Sequence, residues 1–304
     1  MTQEAFIDSL CTIAELDGHA VNEPKTPYCS GHPVDNVPKA HDLHTPEGIK
    51  RTALMRTLVG SLNWLSLSTR PDISTITNMC AKYMACPNKG HINQVKRIIR
   101  YLKGTKTKGI SFSSKSNTQL AAFVKFPISN KIVSLCDANW GPQDQSVPPP
   151  GCTTQIDLFK NRSVSGFLIW LGGPLHWISK RQSITARSST ESEIYATDEC
   201  TKCLLHLAQI VDGFNLTQML MKPPTMVYND NAACVQWAHA MSTKGLRHIQ
   251  IRDTAVRESV QSNFIEIKHV AGKVNLSDMF TKEEKNVEHF ITIRDHVLTD
   301  STVF

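Results

Sequence analysis

The chain has 304 residues, 40% of them hydrophobic, which is enough for two modest buried cores. No apolar run is long enough to span a membrane, and the amino terminus lacks the basic-then-apolar layout of a signal peptide, so an intracellular protein is expected. Thirty-three Lys and Arg against 27 Asp and Glu leave a net charge of +6, and nine cysteines without a framework spacing read as reduced thiols rather than disulfides.

Residues 1–45 show weak periodicity and many turn formers, and are expected to be extended or partly ordered. Thr45-Pro46 then opens a helix with Leu54, Leu58, Leu62 and Leu65 in phase, which stops before Arg70-Pro71. A second helix is expected to reach Cys86-Pro87, and a third to end at Lys103-Gly104, so that 46–110 form a basic helical region. Charge is concentrated here. Residues 73–136 contain eleven Lys and Arg and no acid. In the third helix Ile92, Val95, Ile98, Ile99 and Leu102 make an apolar stripe, while Lys96, Arg97, Arg100 and Lys103 crowd the other side. That cationic face suits a phosphate backbone; its structural alternative is a solvated surface.

A Ser-, Lys- and Asn-rich stretch, 111–130, reads as a linker to a domain at 131–304. Strand-like runs at 131–138, 163–171 and 174–180 are joined by turn formers, including Gly172-Gly173-Pro174, and predict an antiparallel meander. Helix, strand, helix, strand and helix follow, which completes a mixed α/β sheet flanked by helices. The Pro-rich stretch at 141–161 predicts an irregular loop. Cys200 and Cys203 form a C-x-x-C inside a helical pattern, where packed thiols are favoured over zinc.

Four acids fall at element ends in this second half. Asp137 shares a strand face with Val133 and Leu135, where a buried carboxylate is costly unless a cation or donor meets it. Glu193 lies in the first turns of a helix, beside the packed face marked by Thr197, Cys200 and Leu204; Glu191, about 200° round the helix, falls in line with Tyr195, Asp198 and Lys202 on the side expected to be polar. Asp230 sits at the carboxyl end of the strand in MVYND, and Asp278 follows a Gly-containing loop in what reads as the first turn of a final helix. Helix capping is the plain alternative for the last three, Ser188 with Glu191 or Thr190 with Glu193 among the candidate capping boxes. Their joint placement at junctions that converge on one sheet edge favours metal ligation over capping. His248 and Arg252, one helical turn apart in LRHIQIRDTAVRES, are further candidates to face a nucleic acid, with a solvated helix face as the alternative.

The stretches CDANWG, NRSVSGFLIWLGGPLHWISKRQ, ARSSTESEIYATDE, VYNDNAACVQWA, LRHIQIRDTAVRES and VNLSDMFTK resemble, in order, the ribonuclease H region of copia-type LTR retrotransposon polyproteins. TQEAFIDSL, LVGSLNWLSLSTRPDI and INQVKRIIRYLKGTKTKGISF resemble the connecting segment after the reverse transcriptase in the same polyproteins. The resemblance implies a ribonuclease H fold. It also implies Mg²⁺, or Mn²⁺, as two ions, with Asp137 bridging both, Glu193 and Asp230 holding one and Asp278 the other, and cleavage of the RNA strand of an RNA–DNA hybrid. Partners so implied are the hybrid and the polymerase part of the polyprotein; the setting is cytoplasm, nucleus or a virus-like particle.

Two departures from the family pattern stand out. Cellular ribonucleases H carry a histidine in the loop before the last carboxylate, whereas residues 272–277 hold Lys273 and no histidine, and His269 lies upstream. No Asp-Asp pair of the kind used in polymerase palms occurs, so no polymerase activity is expected. The chain reads as the carboxyl end of a polyprotein or the product of a truncated element, with a catalytically inactive nucleic-acid-binding remnant as the alternative to an active nuclease.

Overall fold

The computed structural model describes residues 1–16, 23–28, 39–128, 131–141, 162–240, 250–283 and 286–301. Two units share the chain: Met1–Ile110 with Glu283–Phe304, and Ser111–Pro142 with Asn161–Lys282. The loop expected at 141–161 lies, beyond Gly141, outside the described residues.

The first unit is mostly helical. Residues 1–45 are not uniformly irregular, because α1 (Glu4–Ile13) places Ile7, Leu10 and Cys11 on one buried face at helical spacing. In α2 (Pro46–Ser68) the Thr45 hydroxyl accepts the Gly48 N–H at 3.0 Å, and Met55, Leu58, Leu62 and Leu65 are fully buried. α3 (Ser74–Ala81) and α4 (Lys89–Gly104) follow; Asn88 and His91 cap α4 reciprocally. Between α2 and α3, Arg70 and Asp72 form a buried bidentate pair at 3.0 and 2.8 Å. Tyr101 of α4 donates to Asp72 at 2.6 Å, and Arg70 donates to the Thr105 carbonyl at 3.0 Å, so the charges that α4 covers are fully partnered. A short strand β1 (Lys108–Gly109) closes this segment.

The second unit opens with a helix rather than a linker. Ser113 caps α5 (Ser114–Val124), whose Asn117, Leu120 and Val124 are buried, so a stretch of polar composition still supplies one packed face. Next come β2 (Val133–Asn139), β3 (Val164–Trp170) and β4 (Pro174–Arg181), the expected antiparallel meander. α6 (Ser189–Gly213) and the short α7 (Thr217–Leu220) lead to β5 (Thr225–Asn229), which pairs parallel to β2. α8 (Ala232–His239) and α9 (Gln250–Gln261) precede β6 (Ile265–His269), parallel to β5.

The sheet order is therefore β4-β3-β2-β5-β6, a mixed sheet with the first strand at its centre. This is the ribonuclease H-like arrangement. One face, with Cys136, Phe167, Ile169, Val227 and Ile267, packs with residues of α6, α8 and α9 such as Ile194, Leu204, Trp237 and Val256. On the opposite face Trp170 donates its indole N–H to Asn117 of α5 at 2.8 Å, and Phe126 stacks on Tyr228 with ring centroids 3.6 Å apart.

The chain does not run from β6 straight into a final helix. Residues Gly272–Val274 and Leu276–Phe280 form two 3₁₀ turns, and Asp278 lies in the second. The helix that follows, α10 (Val287–Val297), and β7 (Thr299–Asp300) belong to the first unit, where β7 pairs antiparallel with β1 and Tyr28 and Tyr101 pack edge-on to Phe290.

The second 3₁₀ turn lies against the sheet at Gly166 of β3. A Cβ there would come within 2.6 Å of Phe280 Cβ and Thr281 Cγ2, so only glycine admits this approach directly opposite Asp137 in register. Replacing Gly166 with Val is expected to push the turn off the sheet and to cost about 1–3 kcal/mol of stability through overpacking. Urea unfolding of parent and variant checks this, and equal midpoints would contradict it.

Candidate metal centre

Four elements deliver the four acids. Asp137, near the carboxyl end of β2, is 3% exposed and accepts a hydrogen bond from the Thr281 hydroxyl. Glu193, in the second turn of α6, is 5% exposed; Asn229 at the end of β5 donates to its Oε2 at 3.0 Å. Asp230 follows Asn229 directly, and Asp278 comes from the turn over Gly166.

The capping alternatives resolve in favour of other residues. α6 is capped by Ser188, whose hydroxyl accepts the Glu191 N–H at 3.1 Å, while the Glu191 carboxylate accepts the Arg187 N–H at 2.6 Å, so Glu191 and not Glu193 serves the helix start. Glu191 is buried with Tyr195 and Asp198, and the side of α6 expected to be polar is instead covered, its Asp198 paired to Lys202 at 2.6 Å. Asn231, not Asp230, caps α8, and Asn275, not Asp278, caps the 3₁₀ turn. Asn275 also donates to the Cys136 carbonyl at 3.0 Å and thereby ties the turn to the strand that carries Asp137.

One carboxylate oxygen each from Asp137, Glu193 and Asp230 lies within 4.8 Å of the other two. Asp278 stands outside this trio and pairs with Lys282 at 3.0 Å. Gly272 makes room for Asp230, since a Cβ at that position would lie 3.0 Å from Asp230 Oδ2. His269, which ends β6, places Nε2 3.1 Å from the Asp230 carbonyl oxygen, so the histidine noted upstream of the loop lies beside this site.

Burial, and then the Asp137 carboxylate, raise Glu193 from its ordinary 4.5 to about 9, against the opposing pull of the Asn229 hydrogen bond. The same two causes raise Asp230, and they raise Asp278 from 3.8 to about 7 although Lys282 pulls the other way. Asp137 thus acts on all three other acids. Burial works against the charge on Lys282, but Asp137 and Asp278 outweigh it and hold its ammonium above the ordinary range. The residues fit a hard divalent cation: every donor is a carboxylate oxygen, and burial beside the Asp137 charge raises the other three acids, Asp278 even with Lys282 beside it.

Asn229, Thr281 and Lys282 did not stand out in the sequence. Their signals are positional: Asn229 immediately precedes Asp230, and Thr281 and Lys282 follow Asp278 at the i+3 and i+4 spacings that bring side chains together on a helical turn.

The basic residues of α4 belong to the other unit, and their side of the helix is less open than its sequence suggests. Arg97 donates from Nε to the Tyr28 carbonyl at 2.6 Å, and Lys96 stands 3.9 Å from Glu15. Arg100 and Lys103 are half-buried. His248 lies outside the described residues; Arg252 falls within α9, with its side chain outside them.

Without a metal, the folded protein binds more protons at Glu193, Asp230 and Asp278 than the unfolded chain does. Their raised values therefore remove stability as pH climbs from the ordinary carboxylate range toward about 9. In EDTA the thermal midpoint should fall between about pH 5 and about pH 8, and millimolar Mg²⁺ should abolish most of the fall, because the ion binds the deprotonated acids. Melting curves at the two pH values, with and without Mg²⁺, measure this; a midpoint that rises with pH in EDTA contradicts it.

No protein-family model matches the chain. It is 29% identical over 252 residues, 82% of its length, to the retrovirus-related Pol polyprotein from transposon RE2 of Arabidopsis thaliana. The corresponding polyprotein from transposon RE1 of the same plant is 30% identical over 229 residues, 75% of this chain. The chain spans only 15% and 14% of the length of these relatives. Among solved structures, that of LC11-RNase H1, isolated from compost, matches at 16% identity with a TM-score of 0.35, covering 50% of this chain and 94% of that one; the same protein has been solved in complex with an RNA/DNA hybrid. With its acids carried in the order of those motifs on a ribonuclease H-like sheet, the chain is a homologue of Pol polyproteins from copia-like retrotransposons.

Proposed function

We propose that the chain is a divalent-metal-dependent endonuclease that hydrolyses the RNA strand of RNA–DNA hybrids and carries no polymerase active site. The observation that carries this reading is the meeting of Asp137, Glu193 and Asp230 within 4.8 Å, from β2, α6 and the end of β5 of a ribonuclease H-like fold. Asp137, whose charge acts on the other three acids, would serve as a ligand to Mg²⁺ at both positions that the acids offer. Glu193 and Asp230 would complete one position, and Asp278 the other. Bound Mg²⁺ supplies a nucleophilic water at neutral pH and stabilises charge on the leaving oxygen. The chain's part is to hold four carboxyl groups fixed: Asn229 orients Glu193, Thr281 orients Asp137, and Asn275 holds the turn that brings Asp278. Recognition of RNA rests on its 2′-hydroxyls, read across the shallow minor groove of the hybrid. A non-catalytic remnant is the weaker reading, since nothing in binding a phosphate backbone calls for four clustered acids.

Cleavage of a labelled RNA–DNA hybrid by the whole chain, with and without Mg²⁺, tests the reading directly. Activity should require the ion, fall to background in Asp137→Asn and Glu193→Gln, and persist largely intact in Glu191→Gln, because Gln still completes the α6 cap. An active Asp137→Asn variant of unaltered fold would remove the site from consideration.

The second expected outcome concerns α4. Its half-exposed Lys96, Arg100 and Lys103 are proposed to meet hybrid phosphates, while Arg97 is reserved for the Tyr28 carbonyl. Replacing those three with Gln should weaken binding and flatten the slope of log affinity against log salt by roughly 0.9 for each phosphate no longer neutralised. Cleavage at saturating hybrid should survive. Binding across a salt series decides it, and an unchanged slope would leave these residues as solvated surface.

A further inference from the structure

Lys282 is a cation already present among the carboxylates. Its Nζ lies 3.0 Å from Asp278 Oδ1, and Asp278 itself is only 8% exposed at its side chain. An ordinary i,i+4 pair on a helix surface faces one partner in open water. Here three carboxylates act on the same ammonium: Asp278 from its own turn, Asp137 from β2 and Asp230 after β5. Thr281, the residue before it, donates its hydroxyl to Asp137. One short segment, 278–282, therefore brings an acid, a hydroxyl and an ammonium to the Asp137–Asp278 side of the site. Lys282 makes its ion pair with Asp278 and reaches Asp137 and Asp230 only through its field, while Glu193 is helped by the neutral amide of Asn229.

We infer that the Lys282 ammonium takes the second cation position, beside Asp278, whenever that position holds no metal, so that the two divalent ions bind unequally and the second must displace the lysine. This rests on the metal-site reading above and goes further, because it assigns an order. The first ion enters among Asp137, Glu193 and Asp230 without breaking the Lys282–Asp278 pair. The second enters only as Lys282 swings toward solvent, which its 40% side-chain exposure permits. Lys282 is in this sense a positioning residue: it keeps Asp278 paired while the site waits, and it makes occupancy of the second position depend on an extra source of negative charge, such as a phosphate of the bound nucleic acid.

Mn²⁺ titration of the whole chain, followed by calorimetry and by the loss of free-ion electron paramagnetic resonance signal, tests the inference without reference to activity. The parent should show one tighter and one weaker ion. Lys282→Met should tighten the weaker ion about tenfold or more, as expected when a competing unit charge is removed from a half-buried site, while the tighter ion changes little. Lys282→Arg, which keeps the charge, should retain the parental inequality. Thermal melting in EDTA controls for folding. If Lys282→Met binds Mn²⁺ with the parental isotherm, or if the parent binds two ions equally, the inference is overturned while the metal site stands. If the parent binds no Mn²⁺ at all, and Glu193→Gln leaves the titration unchanged, the metal-site reading fails as well.

Discussion

Mutual repulsion among carboxylates held away from water is the constraint on which the second unit turns. Asp137, Glu193 and Asp230 cannot all be charged at their observed separation without something positive between them. The protein does not relieve this by spreading the acids apart. It fixes them with neutral donors instead, an amide for Glu193 and a hydroxyl for Asp137, which orient an oxygen without cancelling its charge. Without a cation the raised acids take up protons, and a divalent ion gains from entering oxygens already fixed in place.

Backbone approach is the complement of that constraint. Gly166 lets a 3₁₀ turn rest on the centre of the sheet, and Gly272 leaves a carboxylate room beside the preceding loop. Both are places where a methyl group would enforce the separation that repulsion already favours. The strand order serves the same end. Because β5 pairs parallel to β2, the carboxyl ends of both strands finish at one edge, and the acid in β2 meets the acid that follows β5. An antiparallel β5 would send Asp230 to the far edge.

The meander, the mixed sheet and the placement of the acids at element junctions are legible in the sequence because each rests on local signals: alternation, turn formers, and an acid next to a change of period. The rest depends on packing between segments distant in sequence. Nothing local distinguishes α5 from a linker, since its Ser, Lys and Asn residues are those of a solvated stretch; it is helical because Asn117, Leu120 and Val124 find a sheet to cover. The side of α6 expected to be polar is covered for a similar reason, as Glu191 and Asp198 are buried with specific partners that a helical wheel does not reveal. Asp278 sits in a 3₁₀ turn rather than an opening helix because Asn275 ties that segment down to Cys136. On α4 the pattern reveals the helix and its buried stripe but not the cover on its basic side, which residues from far upstream provide.

The division of the chain adds a constraint of a different kind. The ribonuclease H-like unit is an insertion in the first unit, whose helix α10 is encoded after Asp278, buries Phe290, Ile293 and Val297, and packs Phe290 against Tyr101 of α4. During synthesis, then, the helical unit has to wait: its first four helices emerge with part of their apolar surface uncovered, and the whole nuclease-like sheet is made before the segment that covers them leaves the ribosome. The inserted unit needs no later residue for its own sheet. It can fold while its host is still incomplete, and the host's helices are the ones left exposed to proteases and chaperones in the interval.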